Sequence, residues 1–433
     1  MKSSIGVFVW LLSMVVLPLT AVKAQQAQQQ PAPEQKPAEP AEKPLAPGWL
    51  SLDSSVGLLD SKIADGKTAL QNALFGINIS GFLDTSWTFS TNHPGSTFAH
   101  NISGRYFDMD NNQIVFNDFN ITLDKPEKDW GVGFHLAGDF GRMAELLREA
   151  TFWGQHLHRE PSAELREAFV TTTLPLGEGL QIKGGLFVTP LGTEVIPAPG
   201  SYNLGNENIS RSFLFNFAIP FRHLGMTLSY PILKMLTVTA GPVTGWDDPH
   251  DNTGGVSFLG GLTFTPTDTV TFASNIIAGP EPTGTGANPN RNTTRVTWSN
   301  VLTVKPIDPL TLYGEYTYGH QDKASLGGTR GATWQGLAGI ASYAWTDRFT
   351  TALRGEWFND RDGARLLGGV SGNHADVNVG EFTLTGSYKF TKMLVGRAEV
   401  RQDMADQRVY AIGNTFRGNK DQTTLAMQLI YSY

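Results

Sequence analysis

The chain has 433 residues, of which 17% are charged, 11% are aromatic, 47 are Gly and none is Cys; its formal net charge is −7. Charged residues usually reach about 25%. This balance excludes a disordered chain, which would lack the apolar and aromatic material, and with no thiols it excludes a disulfide scaffold and a thiolate zinc site. A helical membrane protein needs runs of about 20 apolar residues, and none lies beyond the N-terminal stretch.

Residues 1–24 read as a signal peptide. Lys2 gives a positive start, Ile5 to Leu19 an apolar stretch, and Val22-Lys23-Ala24 the small residues of a cleavage site. The alternative, a membrane anchor, is disfavoured because the apolar run is shorter than a comfortable span. Loss of Lys2 and Lys23 leaves 31 basic residues against 40 acidic ones, a net charge of −9. No nucleic-acid partner is expected at that balance. Residues 25–47 are nearly all Gln, Ala, Pro, Glu and Lys and read as an extended or disordered linker. From 48 to 76, Leu52, Val56, Leu59, Ile63, Leu70 and Leu74 recur at helical spacings. This predicts a short periplasmic helical lead-in, with a plug or an oligomerisation helix as the alternative.

Residues 77–433 follow one rule: short segments alternate apolar and polar, and turn residues bound each. Ile79, Leu83 and Trp87 begin the series; Leu425, Met427, Leu429, Tyr431 and Tyr433 end it. Sixteen such strands are predicted, the stretch Leu165 to Leu174 being the least regular. The connections alternate in length. Thr346 to Arg348 and Thr391 to Lys392 are tight turns, whereas Thr91 to Asn112, Arg142 to Ala163 and Pro190 to Arg222 are long loops. Short turns at one rim and long loops at the other mark an outer-membrane barrel, and in lipid a sheet must close on itself to pair its backbone. The fold expected is therefore all-β, a transmembrane antiparallel up-and-down barrel of about 16 strands. Aromatics near strand ends, including Trp87, Trp130, Trp246, Tyr343, Trp345, Phe349 and Phe390, fit two interfacial girdles. A soluble sandwich is the competing architecture.

The segments Gly185-Leu-Phe-Val-Thr-Pro-Leu-Gly-Thr-Glu194 and Ser210-Arg-Ser-Phe-Leu-Phe-Asn-Phe-Ala-Ile-Pro-Phe-Arg-His-Leu-Gly225 resemble motifs of the β-barrel porin family related to OmpL-like outer-membrane porins. Thr193 departs from the pattern, which carries an aromatic there. The resemblance implies an outer-membrane pore, passive diffusion of small hydrophilic solutes or ions, and no named solute. Tyr433 resembles the C-terminal aromatic signal read by the barrel-assembly machinery.

Residues between the lipid-facing positions point inward. They make Lys183, Glu315, Arg354, Glu356, Arg397, Glu399, Arg401 and Asp403 candidate pore-lining groups, whose opposed charges would set a transverse field. Pairing along the wall is the alternative. The third long loop, Pro190 to Arg222, is the longest. By resemblance to sixteen-stranded general porins it folds inward, with Glu194, Glu207 and Arg211 as constriction candidates; a loop lying on the surface is the other reading. No catalytic residue, metal site or cofactor is expected. Asp247-Asp-Pro-His-Asp251 reads as a solvated acidic loop rather than a calcium site, and His156, His158 and Glu160 form no zinc spacing. No nucleophile elbow or Walker loop occurs. A surface receptor or adhesin, a closed structural barrel and an outer-membrane enzyme remain as alternatives. Expected partners are outer-membrane lipid of a Gram-negative-type bacterium, the assembly machinery, small solutes and possible further copies of the chain.

Overall fold

The structure, a computed structural model, describes residues 76–98, 101–127, 131–149, 163–249, 253–283, 293–325, 330–366 and 376–433. The predicted signal peptide, linker and nearly all of the lead-in lie outside the described residues, as do Trp130, His156, His158, Glu160, His250 and Asp251.

Sixteen antiparallel strands close into one barrel. In chain order they are β1 (Asn78–Ser90), β2 (Ile114–Lys125), β3 (Val132–Phe140), β4 (Ala163–Leu174), β5 (Leu180–Val188), β6 (Arg222–Leu233), β7 (Leu236–Val243) and β8 (Ser257–Thr267). There follow β9 (Val270–Pro280), β10 (Thr294–Ile307), β11 (Leu310–Gln321), β12 (Ala332–Ala344), β13 (Phe349–Asp360), β14 (Val377–Lys389), β15 (Leu394–Ala405) and, after a two-stranded hairpin β16 (Tyr410–Ile412) and β17 (Thr415–Asn419), the closing strand β18 (Asp421–Ser432). Among the described residues an α-helix, α1 (Arg142–Glu149), lies in the second long loop.

Period two builds the wall. Leu353, Trp357, Phe382, Leu384, Val400, Leu425 and Met427 are exposed on the outside, while the alternate positions Arg354, Glu356, Glu381, Thr383 and Arg401 are buried inside. Two of the short turns are built alike: Thr346 Oγ1 accepts the Phe349 N–H at 3.0 Å, and Thr391 Oγ1 accepts the Leu394 N–H at 2.9 Å.

The barrel shuts by pairing β1 with β18, from Phe82↔Ser432 to Ser90↔Thr424. Tyr433 completes the seam, its N–H donating to Gly81 O at 3.0 Å and its hydroxyl to Asn120 O at 2.9 Å. Gly81 permits this approach, since a Cβ there would lie 2.4 Å from the Tyr433 hydroxyl.

The irregularity of β4 has a physical cause. Against β3, Ala137 pairs with Glu167 and Gly138 with Leu165, so Arg166 is the extra residue of a bulge. Leu165 stays outside while Arg166 and Glu167 are both buried. Trp246, assigned from sequence to a girdle, instead packs on the interior core, T-shaped against Trp334, with Arg295 and Arg365 over its ring at 4.7 and 4.9 Å.

A second apolar core fills part of the barrel. Met143 and Leu147 of α1, Phe213 to Ile219 of the third long loop, Trp334, Phe358, Val377, Val409 and Tyr410 are all buried together. The loops therefore fold into the barrel and pack there as a small domain interior would.

Candidate functional site

The third long loop runs inside the barrel. Its apolar return, Phe213 to Phe221, supplies the reason: each fully buried Phe or Leu contributes about 1.5–3 kcal/mol, and Phe213, Leu214 and Ala218 have no exposed surface. The segment Leu214–Ala218 forms a π-helical turn that presents the Ala218 carbonyl to Trp334 Nε1 at 3.1 Å.

Charged side chains of the wall hold the loop by its backbone. Glu356 accepts the N–H groups of Phe213 and Leu214, both at 2.6 Å. Glu399 accepts those of Ile209 at 2.6 Å and Ser210 at 3.0 Å. Glu315 accepts the Thr193 N–H at 2.8 Å. Arginines take the carbonyls: Arg354 donates to Ser210 O at 2.7 Å, Arg401 to Arg211 O at 2.6 Å, and Arg397 to Glu207 O at 2.7 Å. Charge-assisted bonds of this kind are about twice as strong as neutral ones.

Two of these arginines also form ion pairs. Arg354 bridges Glu194 of the loop at 2.8 Å and Glu381 of β14 at 2.7 Å. Arg401 pairs with Asp403 at 2.6 Å, and Asp403 also takes Arg105 from the first long loop at 2.7 Å. The whole set is buried, so each charge needs its partner.

Of the eight wall candidates, Glu315, Arg354, Glu356, Arg397, Glu399, Arg401 and Asp403 are at most 6% exposed. The expectation of a field across open water is corrected for these seven: they stand inside the barrel but beneath the loop, Arg354, Arg401 and Asp403 in ion pairs and Glu315, Glu356, Arg397 and Glu399 bonded to the loop backbone. The physical reason is desolvation, since the apolar return of the loop covers them and a covered charge must be neutralised locally. Lys183 differs. It is half-buried on the strand opposite, with its ammonium near the rings of Phe169 and Phe187.

The three loop candidates separate as well. Glu194 is spent on Arg354 and on the Ser212 N–H at 2.8 Å. Glu207 is half-buried and accepts from Ser342 at 2.8 Å and from Tyr313 at 3.2 Å. Arg211 is buried, donating to Asn208 O and Ile209 O with its guanidinium over Phe215.

Sequence reading missed several members of this arrangement. Arg166 donates to Pro197 O of the loop and lies 3.4 Å from Asp139. The helix α1 buries Met143, Leu146 and Leu147, an i, i+3, i+4 pattern that was there to be found. In the acidic loop after β7, Asp247 and Asp248 are not solvated: both are buried, and Asp247 accepts the N–H groups of Phe221 and Arg222 at 2.5 and 3.0 Å. Burial pushes its carboxyl up to about 7, against those two N–H groups and the nearby Arg222 and Arg365. Among the described residues no three His, Asp or Glu side chains cluster as a metal site.

The inner wall from β6 to β9 has another character. Ser229, Thr237, Thr239, Thr263 and Thr265 are half-buried, and β7, β8 and β9 contain no charged residue.

Comparisons with known proteins agree with this architecture. The chain shares its fold with the outer-membrane channel DcaP of Acinetobacter baumannii, at TM-score 0.53 and 12% identity, over 82% of this chain and 97% of that one. An anion-selective porin from Comamonas acidovorans matches at TM-score 0.53 and 11% identity, over 82% of this chain and 99% of that one. OmpF of Salmonella typhi, solved in complex with daunomycin, matches at TM-score 0.53 and 11% identity, over 82% and 97%. No curated protein sequence matches the chain. Residues 76–433 match the family described as "Putative beta-barrel porin-2, OmpL-like". With sixteen closed strands, an apolar exterior and this match over the entire barrel, the chain belongs to the OmpL-like β-barrel porin family and is an outer-membrane porin channel.

Proposed function

We propose that small hydrophilic solutes and ions diffuse passively along an off-centre path, between the docked third loop and the wall from β4 to β9. The observation that carries this reading is the asymmetry of the interior. Ion pairs and loop anchors crowd β13 to β15, whereas β7 and β8 carry no charge and keep Thr237, Thr239, Thr263 and Thr265 at half-buried inner positions, with Val243 and Leu259 joining the core at one end. In this reading Glu194, Glu207 and Arg211 set the shape of the constricting loop, and Lys183 borders the path. Glu315, Arg354, Glu356, Arg397, Glu399, Arg401 and Asp403 keep the loop in place and act on permeation through it.

The remaining assignments follow from the sequence. Residues 1–24 direct export and are removed, 25–47 link, and 48–76 form a periplasmic lead-in to the barrel of 77–433. The last strand is the element read by the assembly machinery, outer-membrane lipid surrounds the apolar belt, and the chain performs no catalysis. Association with further copies is compatible with the apolar exterior.

Single-channel recording of the refolded barrel in a planar bilayer tests the reading. Stable conductance steps are expected. A correctly folded, heat-modifiable barrel that gives no steps would overturn it in favour of a closed barrel or a surface receptor.

A further inference from the structure

Lys183 is a charged side chain of the inner wall that the docked loop does not use. It lies on β5, and β5 and β13, the strand of Arg354 and Glu356, stand eight apart in the closed order of sixteen, on opposite sides of the barrel. Among the described residues the Lys183 ammonium has no hydrogen bond and no ion pair; its neighbours are the rings of Phe169 at 5.1 Å and Phe187 at 5.3 Å. The nearest carboxylate is committed elsewhere. Glu167 accepts the Val188 N–H at 3.2 Å and faces His135 at 3.5 Å and Arg166 at 3.6 Å.

The sheet register completes the surroundings. Lys183 pairs with Thr171 on β4 and with Thr227 on β6, which puts a hydroxyl on each side at the same height. The next inner position on β5 is Gly185, opposite Phe169, and the one after it is Phe187. On the inner face the ammonium therefore sits within cation–π reach of both rings, with Phe169 and Phe187 flanking it. Phe187 itself is rooted in the interior core.

These groups define a ligand by their chemistry. A lysine presents three donors, and a partly desolvated ammonium without a counter-charge is unfavourable until an anion arrives. Two hydroxyls beside it suit the second oxygen of a carboxylate. Two phenyl rings next to the ammonium suit an apolar or aromatic body and offer little to a fully hydrated ion. We infer that Lys183, with Thr171, Thr227, Phe169 and Phe187, forms a binding station for organic carboxylates that carry an apolar or aromatic body. The inference deepens the channel reading by naming a solute class, and it rests on that reading.

Benzoate, acetate and neutral benzamide are the probes, added at equal concentration to the refolded barrel while it conducts KCl in a planar bilayer. Benzoate is expected to interrupt the current more strongly than either of the others. Lys183→Gln is expected to weaken benzoate by about tenfold or more, the scale of a lost hydrogen bond to a charged group, and Lys183→Arg to restore most of it. Phe169→Ala is expected to erase the advantage of benzoate over acetate. Equal responses to benzoate and acetate in the unmodified barrel would overturn the inference, as would a benzoate response that Lys183→Gln leaves unchanged. Current in KCl alone tests the channel reading separately. If the folded barrel carries none, calorimetric titration of benzoate into the detergent-solubilised barrel decides: heat that Lys183→Gln removes supports the station, and equal or absent heat in both proteins refutes it.

Discussion

Strands β13 to β15 and strands β7 to β9 are the same kind of object, three antiparallel neighbours in one barrel, yet their inner faces differ completely. The first three contain nine charged residues: Arg354, Glu356, Asp360, Glu381, Lys389, Arg397, Glu399, Arg401 and Asp403. The second three contain none. The charged face is the covered one, and its carboxylates and guanidiniums grip the N–H and C=O groups of a loop. The neutral face keeps Thr and Gly half-buried over much of its height, while Val243, Leu259 and Ile277 join the core at one end. In this barrel, charge on a wall therefore marks where protein is docked. Hydroxyls, which hydrogen-bond to water without a large desolvation penalty, line the face left to solvent.

The sharpest way to break this comparison is to remove one cation from each side. Arg354→Met leaves Glu194 without a cation and Glu381 with only Arg401 at 3.7 Å, and takes a donor from Ser210 O. Breaking a buried pair by removing one partner costs about 3–5 kcal/mol. We expect that loss in equilibrium unfolding, together with larger and noisier conductance as the loop leaves the wall. Lys183→Met, on the opposite strand, removes a cation with no ion pair and should change stability by about 0.5 kcal/mol or less. Equal losses at the two positions would mean that the two walls are alike.

A second contrast is within the loop's own anchors. Asp247 holds the end of the third loop through the Phe221 and Arg222 N–H groups, and burial raises its carboxyl from 3.8 to about 7. A group raised in the folded state binds its proton more tightly there than in the unfolded chain. Its contribution is thus fully present below pH 4 and is lost as pH rises through about 7. Asp247→Asn keeps the accepting oxygen, and Asn tolerates the positive φ of 55° found there. The variant should match the parent at low pH and exceed it in thermal midpoint at pH 8. A parent and variant that keep the same difference from pH 4 to pH 8 would rule out titration of this side chain.

Why one part of the molecule could be read from the sequence and another could not follows from what alternation encodes. Period two tells which side of the wall a residue takes, so all sixteen barrel strands and the inward direction of Arg354 or Glu399 were legible. It does not tell what waits inside. The partner of Arg354 is Glu194, 160 residues away, and no local pattern joins them. Trp246 looked like a girdle residue because an aromatic at a strand end reads the same whether it faces lipid or a cation such as Arg365. The bulge at Arg166 blurred β4 because one extra residue puts two successive charged side chains inside. The small elements α1 and β16–β17 were missed because eight residues and short pairs of strands carry little periodic signal of their own.

The neutral wall admits the gentlest test. Thr263 is half-buried on β8, and among the described residues its side chain makes no hydrogen bond. If the face it belongs to borders water, Thr263→Arg places a guanidinium there at little cost, within about 0.5 kcal/mol of the parent. The added positive charge should then shift the reversal potential in a KCl gradient toward anions. If protein fills that space instead, the larger side chain must displace its neighbours, which costs about 1–3 kcal/mol, and the conductance stays as it was. The two outcomes differ in stability and in ion preference at once, so one variant, measured by thermal unfolding and by reversal potential, decides whether the uncharged sector is the route through the barrel.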